Sequence, residues 1–271
     1  MHKTRQQILR EVNKKIETSN VVLNFFYTCF LYSFYFFIIY DLSGIFFFSK
    51  NVKNAIRYIL LFDLYIETRD IKYLHMSKYF RKILIKNFDE KSKFNFMKAE
   101  KNFWPYWSFE KNLKKRMLKN EAFSIDEILQ NLSMKSADTC IYMTILQNYK
   151  TIDDRFIELI HNLQSLSDLT DDIEDLSEDL DNDTPNTLVL LLVGKERYEK
   201  IKEYPFFLIK KHVITSELDR LSHFFYDNIK TSNIPFPTNF FVNFWLKIKM
   251  RQYKKAKKKL MKIYENEYLF S

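Results

Sequence analysis

Two glycines in 271 residues, Gly44 and Gly194, constrain this chain more than any other feature. Strand-rich folds need turns, and the common turn types draw on glycine wherever φ must be positive. Parallel α/β sheets also use glycine where strand meets helix, and the phosphate cradles of dinucleotide and P-loop proteins are built from it. The chain therefore reads as all-α. Apolar residues make up 46% of it, enough for one substantial core or two small ones, and no clear linker or internal repeat divides it. The expectation is a single-domain helical bundle over residues 1–271.

The helical periodicity can be followed along the chain. Residues 1–17 form a charged amphipathic start, and 18–48 an aromatic-rich helix. Thr18 to Tyr40 is a 23-residue run without a charge, long enough to span a bilayer. Asn20, Asn24, Thr28 and Ser33 interrupt it, and no signal-peptide cleavage site follows. A buried core helix, a membrane anchor and an interfacial helix all remain open there, the first favoured. Apolar spacing continues through 52–88 and 93–118, with Pro105 marking a helix start or kink. Ser124-Ile-Asp-Glu127 has the spacing of a capping box and predicts a helix start. Further helices are expected at 134–147, 153–180, 187–200, 205–230 and 238–266. Asn182-Asp-Thr-Pro-Asn186 should stop one of them, and Pro235-Phe-Pro237 should separate the last two.

Charge is distributed unevenly. Nine basic residues lie between Lys247 and Lys262 with no acid among them, and they account for the whole formal excess of +9. From Asp153 to Asp183 there are twelve acids and one base, Arg155. The basic tail alone would suit nucleic acid, but no recognition motif accompanies it and the acidic centre opposes a long phosphate-tracking surface. No nucleic-acid partner is expected. Cys29 and Cys140 suggest no disulfide framework, so a cytoplasmic setting is the simplest, with membrane association left open. The five histidines form no zinc-ligand spacing. Asp179-x-Asp181-x-Asp183 lacks the glycine and the closing glutamate of a calcium loop.

Most informative for function is Leu166 to Leu180. At about 100° per residue, Asp168, Asp172, Asp175 and Asp179 share one face of a helix, with Asp171 at its edge. Leu163, Leu166, Leu169, Ile173, Leu176 and Leu180 share the other. Like charges four residues apart repel by about 0.2–0.5 kcal/mol per pair, so an all-acid stripe invites a cation. Mg²⁺ takes oxygen ligands and binds through one or two carboxylates plus substrate phosphates. The plainer reading is a solvated face.

Asp168-x-x-Asp171-Asp172-x-x-Asp175 resembles the second aspartate-rich motif of trans-isoprenyl diphosphate synthases and the acidic helix of squalene and phytoene synthases. Lys135-Ser136-Ala137, 36 residues before Asp171, resembles the Lys-Thr-Ala element of the prenyl synthases. Trp104-Pro-Tyr-Trp107 followed by Glu110 is similar to a helix of bacterial class I isoprenoid enzymes. The resemblance covers about residues 50–190. It implies a class I isoprenoid synthase fold around an apolar cavity, with Mg²⁺ as cofactor and a prenyl diphosphate as substrate.

On that resemblance Asp171, Asp172 and Asp175 would be catalytic and would ligate metal, joined by Asp168. Lys135 would contact diphosphate. Arg251 and Tyr253 loosely resemble the late Arg-Tyr pair of terpene synthases, although a solvated basic face explains Arg251 as well. The early Asp-Asp-x-x-Asp of the prenyl synthases is absent, and Asp63 with Glu67 is its nearest substitute. No Gly-Gly-Lys-Arg element for isopentenyl diphosphate occurs either. The resemblance thus implies a terpene synthase that cyclises or eliminates, ahead of a prenyltransferase. A non-catalytic helical protein that pairs its acidic and basic helices or meets a membrane is the alternative of another class. Peripheral membrane contact and a homodimer stay open.

Overall fold

A computed structural model of the chain describes residues 50–136, 141, 154–232 and 238–267, with Gln7, Leu9 and Arg10. The expected helix at 18–40 and most of the one at 134–147 lie outside the described residues. Among the described residues there is no strand, only an isolated bridge between Val193 and Glu196, so the all-α class holds. The chain forms two compact units: residues 1–100 with 141–152, and residues 101–140 with 153–271.

In the first unit, α1 (Lys50–Thr68) packs on α2 (Ile71–Lys86). Arg69 turns the chain at φ 59°, and Asp70 caps α2 by accepting the Lys72 N–H at 3.0 Å. The single stretch expected over 52–88 is therefore two helices. The third, α3 (Glu90–Phe103), starts in this unit and carries Glu100, buried with 4% exposure. Its carboxylate accepts two bonds from Arg81, at 2.7 and 2.6 Å, and one from the Tyr58 hydroxyl at 2.7 Å. Such a bidentate pair supplies the donors a buried carboxylate requires. Tyr58, Phe88 and Phe96 fill the surrounding core.

The second unit is built around α6 (Asp154–Glu174), with α5 (Ile125–Lys135), α8 (Thr187–Leu192), α11 (Ile214–Thr231) and α12 (Thr238–Glu267) against it. Before it comes α4 (Pro105–Leu118), where Pro105 takes the first helical position that tolerates its missing N–H. The capping box at the start of α5 is formed on both sides. Ser124 accepts the Glu127 N–H at 3.2 Å and Glu127 accepts the Ser124 N–H at 2.9 Å. Every leucine and isoleucine expected on the core side of the acidic segment is buried.

That segment is not one uninterrupted helix. Asp175 relaxes to φ −96°, ψ 8°, and α7 (Leu176–Asp181) follows. The hydrogen-bond ladder still runs through the break, from the Asp175 N–H to Asp171 O at 2.8 Å and from the Asp179 N–H to Asp175 O at 2.9 Å. The segment then ends where the Asn-Asp-Thr-Pro signal places it, with Asp183 at φ 53°.

The helix expected at 187–200 divides into α8 and α9 (Tyr198–Glu203). Gly194, at φ 90°, makes the turn between them. A Cβ there would lie 2.4 Å from the Ala122 Cβ, so the position requires glycine twice over. The helix expected at 205–230 divides into α10 (Pro205–Lys211) and α11, with Val213 at φ 51° between them. Among the described residues no helix is long and apolar enough to cross a membrane.

Candidate active site

The aspartates from Asp168 to Asp175 lie in two adjacent rows with different surroundings. Asp168 and Asp172, four residues apart, have only 7% and 1% exposure. Asp171 and Asp175, also four apart and one row around the helix, are exposed. The periodicity grouped all of them on one polar face. Two neighbouring elements split that face, because α5 and α8 cover the row through Asp168 and Asp172.

Each buried carboxylate is matched by donors from those elements. Asp172 Oδ1 accepts from Lys135 Nζ at 2.7 Å. Its Oδ2 accepts the Thr187 N–H at 3.0 Å and the Thr187 hydroxyl at 2.6 Å. Asn186 caps α8 through the Leu188 N–H at 2.9 Å and donates to the Asp172 carbonyl and to Asp179, both at 2.7 Å. Asp168 accepts from the Ser136 hydroxyl and, at 2.9 Å, from Gln164. The Ser165 hydroxyl donates in turn to Ser136 at 3.0 Å. Lys135 and Ser136 therefore both lie against the acidic helix.

The outer row is different. Neither Asp171 nor Asp175 accepts a side-chain hydrogen bond among the described residues. Although Asp171 reaches solvent, the protein crowding its carboxylate pushes its pKa up to about 6, and the neighbouring Asp168 charge adds to the shift. Lys249 and Lys135 oppose that rise. Burial also raises Asp168, and burial raises Asp179 against the help of Asn186. Burial pulls the Lys135 ammonium down, but Asp172, Asp168 and Asp179 outweigh it and hold its pKa above the ordinary lysine value.

One further helix presents polar groups to the cluster. On α4 the Tyr106 hydroxyl donates to Glu110 at 3.2 Å. Burial raises Tyr106, and Glu110, Asp172 and Asp168 reinforce the rise. Burial likewise raises Glu110, with Lys135 and Lys114 opposing it. Phe103 and Trp107 meet edge to face beside this pair, with centroids 4.6 Å apart.

On α12 the cation whose charge reaches Asp171 is Lys249, 6% exposed and 5.5 Å from the Trp245 ring centroid. Arg251 and Tyr253 engage α11 instead. Arg251 is exposed and lines a groove against α11, and Tyr253 is buried with its hydroxyl donating to Asp219 at 2.9 Å. Asp63 and Glu67 fall on α1 in the other unit, and their side chains lie outside the described residues.

Three neighbours of the acidic rows were not singled out from the sequence. Asn186 read only as the end of a stop signal and Thr187 as the start of the next helix, although Asn before an apolar run is also an N-cap signature. Lys249 was one of nine basic residues. Its spacing, four from both Trp245 and Tyr253, marks it as the one cation on a buried stripe.

Among the described residues no three Asp, Glu, His or Cys side chains gather closely enough to enclose a metal. Asp171 and Asp175 are two exposed carboxylates four residues apart, and one or two carboxylates are what Mg²⁺ takes from a protein when phosphate oxygens complete its shell. Asp168 and Asp172 already have protein donors. No protein-family model, curated protein or solved structure matches the chain.

Proposed function

We propose that this chain is a Mg²⁺-dependent class I isoprenoid synthase that ionises a prenyl diphosphate, releases pyrophosphate and lets the hydrocarbon cyclise or eliminate. The observation that carries the reading is the meeting of Lys135-Ser136 with Asp172 and Asp168 on α6. The two sequence elements of the resemblance are thus one piece of structure. Bound Mg²⁺ would supply charge neutralisation for the departing diphosphate, held by Asp171 and Asp175. Lys135, about a third accessible while bonded to Asp172, can offer its remaining N–H groups to diphosphate oxygens. Lys249 would add positive charge from α12. Trp104 and Trp107 supply π faces on the same stretch as Tyr106, suited to a cationic hydrocarbon.

The inner row has a positioning role in this reading. Asp172 fixes Lys135 and the start of α8, and Asp168 fixes Ser136. The groups that would touch the metal in this reading are Asp171 and Asp175, so the test is placed on them. Thermal unfolding with Mg²⁺ alone, pyrophosphate alone and both together tests them. A ligand at about one hundred times its Kd adds about 2.7 kcal/mol of stability. The expected result is a rise in Tm with the pair that exceeds the two separate effects and is lost in Asp171→Asn/Asp175→Asn. Equal shifts in wild type and variant would remove the support for this site.

A further inference from the structure

We infer that the groove between α11 and α12 is a second ligand site, one that takes a phosphate group without any metal. It has a volume of about 790 Å³. Lys247, Arg251, Lys254, Lys257 and Lys258 line it from α12, facing the single carboxylate Asp219 on α11. Lys257 and Tyr253 already engage Asp219, at 2.5 and 2.9 Å. The other four cations have no ion-pair partner among the described residues, and all four are exposed. They recur at spacings of four, three and four, which makes one continuous line along the helix.

Four uncompensated cations beside one another repel, and a solvated face ordinarily intersperses both signs. Here the repulsion is concentrated in a concavity, where low-dielectric walls focus the field on a small anion. Arg251 can grip a phosphate through two parallel N–H bonds and the lysines act as point charges around it. Met250, Met261 and the Tyr226 ring also line the groove, so a phosphate carried on an apolar body suits it as well.

This site is separate from the acidic one. Lys249, whose charge reaches Asp171, lies two residues before Arg251, which turns the two side chains about 200° apart on the helix. The inference does not rest on the proposed prenyl diphosphate chemistry. A phosphate of this kind has two sources, a free phosphorylated molecule or an anionic lipid headgroup.

The test uses the full chain with EDTA present, so that Mg²⁺-dependent binding at Asp171 is silent. Pyrophosphate binding is measured by calorimetry, and vesicle binding by co-sedimentation with phosphatidylcholine alone or mixed with phosphatidylserine. Two variants remove the same charge from the same helix. Lys247→Gln/Lys254→Gln/Lys258→Gln strips the groove, and Lys255→Gln/Lys259→Gln/Lys262→Gln strips exposed lysines outside it. The expected result is binding of at least one probe, weakened at least about tenfold by the groove variant and far less by the other. Pyrophosphate binding would assign a free phosphate, and binding only to phosphatidylserine vesicles would assign a headgroup. If neither probe binds, or both variants lose binding equally, the groove is not a site.

Discussion

Asp171 and Asp172 are adjacent in sequence and have opposite surroundings. Asp172 accepts Lys135 and both donors of Thr187, and its removal would leave a buried N–H, a hydroxyl and an ammonium without their acceptor. Asp172→Ala should lower the unfolding free energy by about 2–4 kcal/mol, whereas Asp171→Asn should change it by less than about 0.5 kcal/mol at low pH. Urea denaturation of the two variants checks the contrast.

Asp171 also makes a pH prediction. Its folded pKa, about 6, lies above the ordinary 3.8, so the folded state keeps a proton that the unfolded chain has already lost. Stability from this group is complete below about pH 4 and declines as pH rises to about 6. Asp168, Asp179 and Glu110 shift in the same direction. Asp171→Asn should therefore be more stable relative to wild type at neutral pH than at pH 4, by urea midpoint. A constant difference across that range would contradict the shift. Helical periodicity makes the acids legible as one stripe. It cannot say which row is covered, because that depends on Ser136 and Thr187 arriving from distant parts of the chain.

Helix starts were more legible than helix interiors. The capping box at Ser124 and the proline at 105 act locally, through backbone N–H groups within one turn, and both hold. The breaks at Arg69, Val193–Arg197 and His212–Val213 fall inside apolar periodic stretches. The periodic pattern survives a one- or two-residue turn, so it hid them. Only Asp70 and Gly194 offered a local clue. Val213 offered none, since a β-branched residue rarely adopts φ 51°. The surrounding packing of α10 and α11 holds it there at a cost. Because Val213 is 60% exposed, Val213→Asn should relieve the strain and stabilise the protein by about 1 kcal/mol, read from its Tm. A loss of stability would mean that the valine side chain contributes packing.

At the scale of the molecule, scarcity of glycine predicted an all-helical chain, and the described residues form twelve helices. Composition could not divide them between two compact units, since that division reflects which helices pack rather than any linker. The second unit holds the acidic helix, the cations of α5 and α12 and the aromatic pair on α3 and α4. It is there that the proposed chemistry can be judged. The most direct measurement is turnover of ten- to twenty-five-carbon prenyl diphosphates with and without Mg²⁺, following released pyrophosphate and hydrocarbon products. The account predicts Mg²⁺-dependent release with cyclic or eliminated products, abolished in Asp171→Asn/Asp175→Asn while the variant stays folded. Absence of turnover on every substrate by the folded wild-type protein, or activity unchanged in the variant, would contradict it.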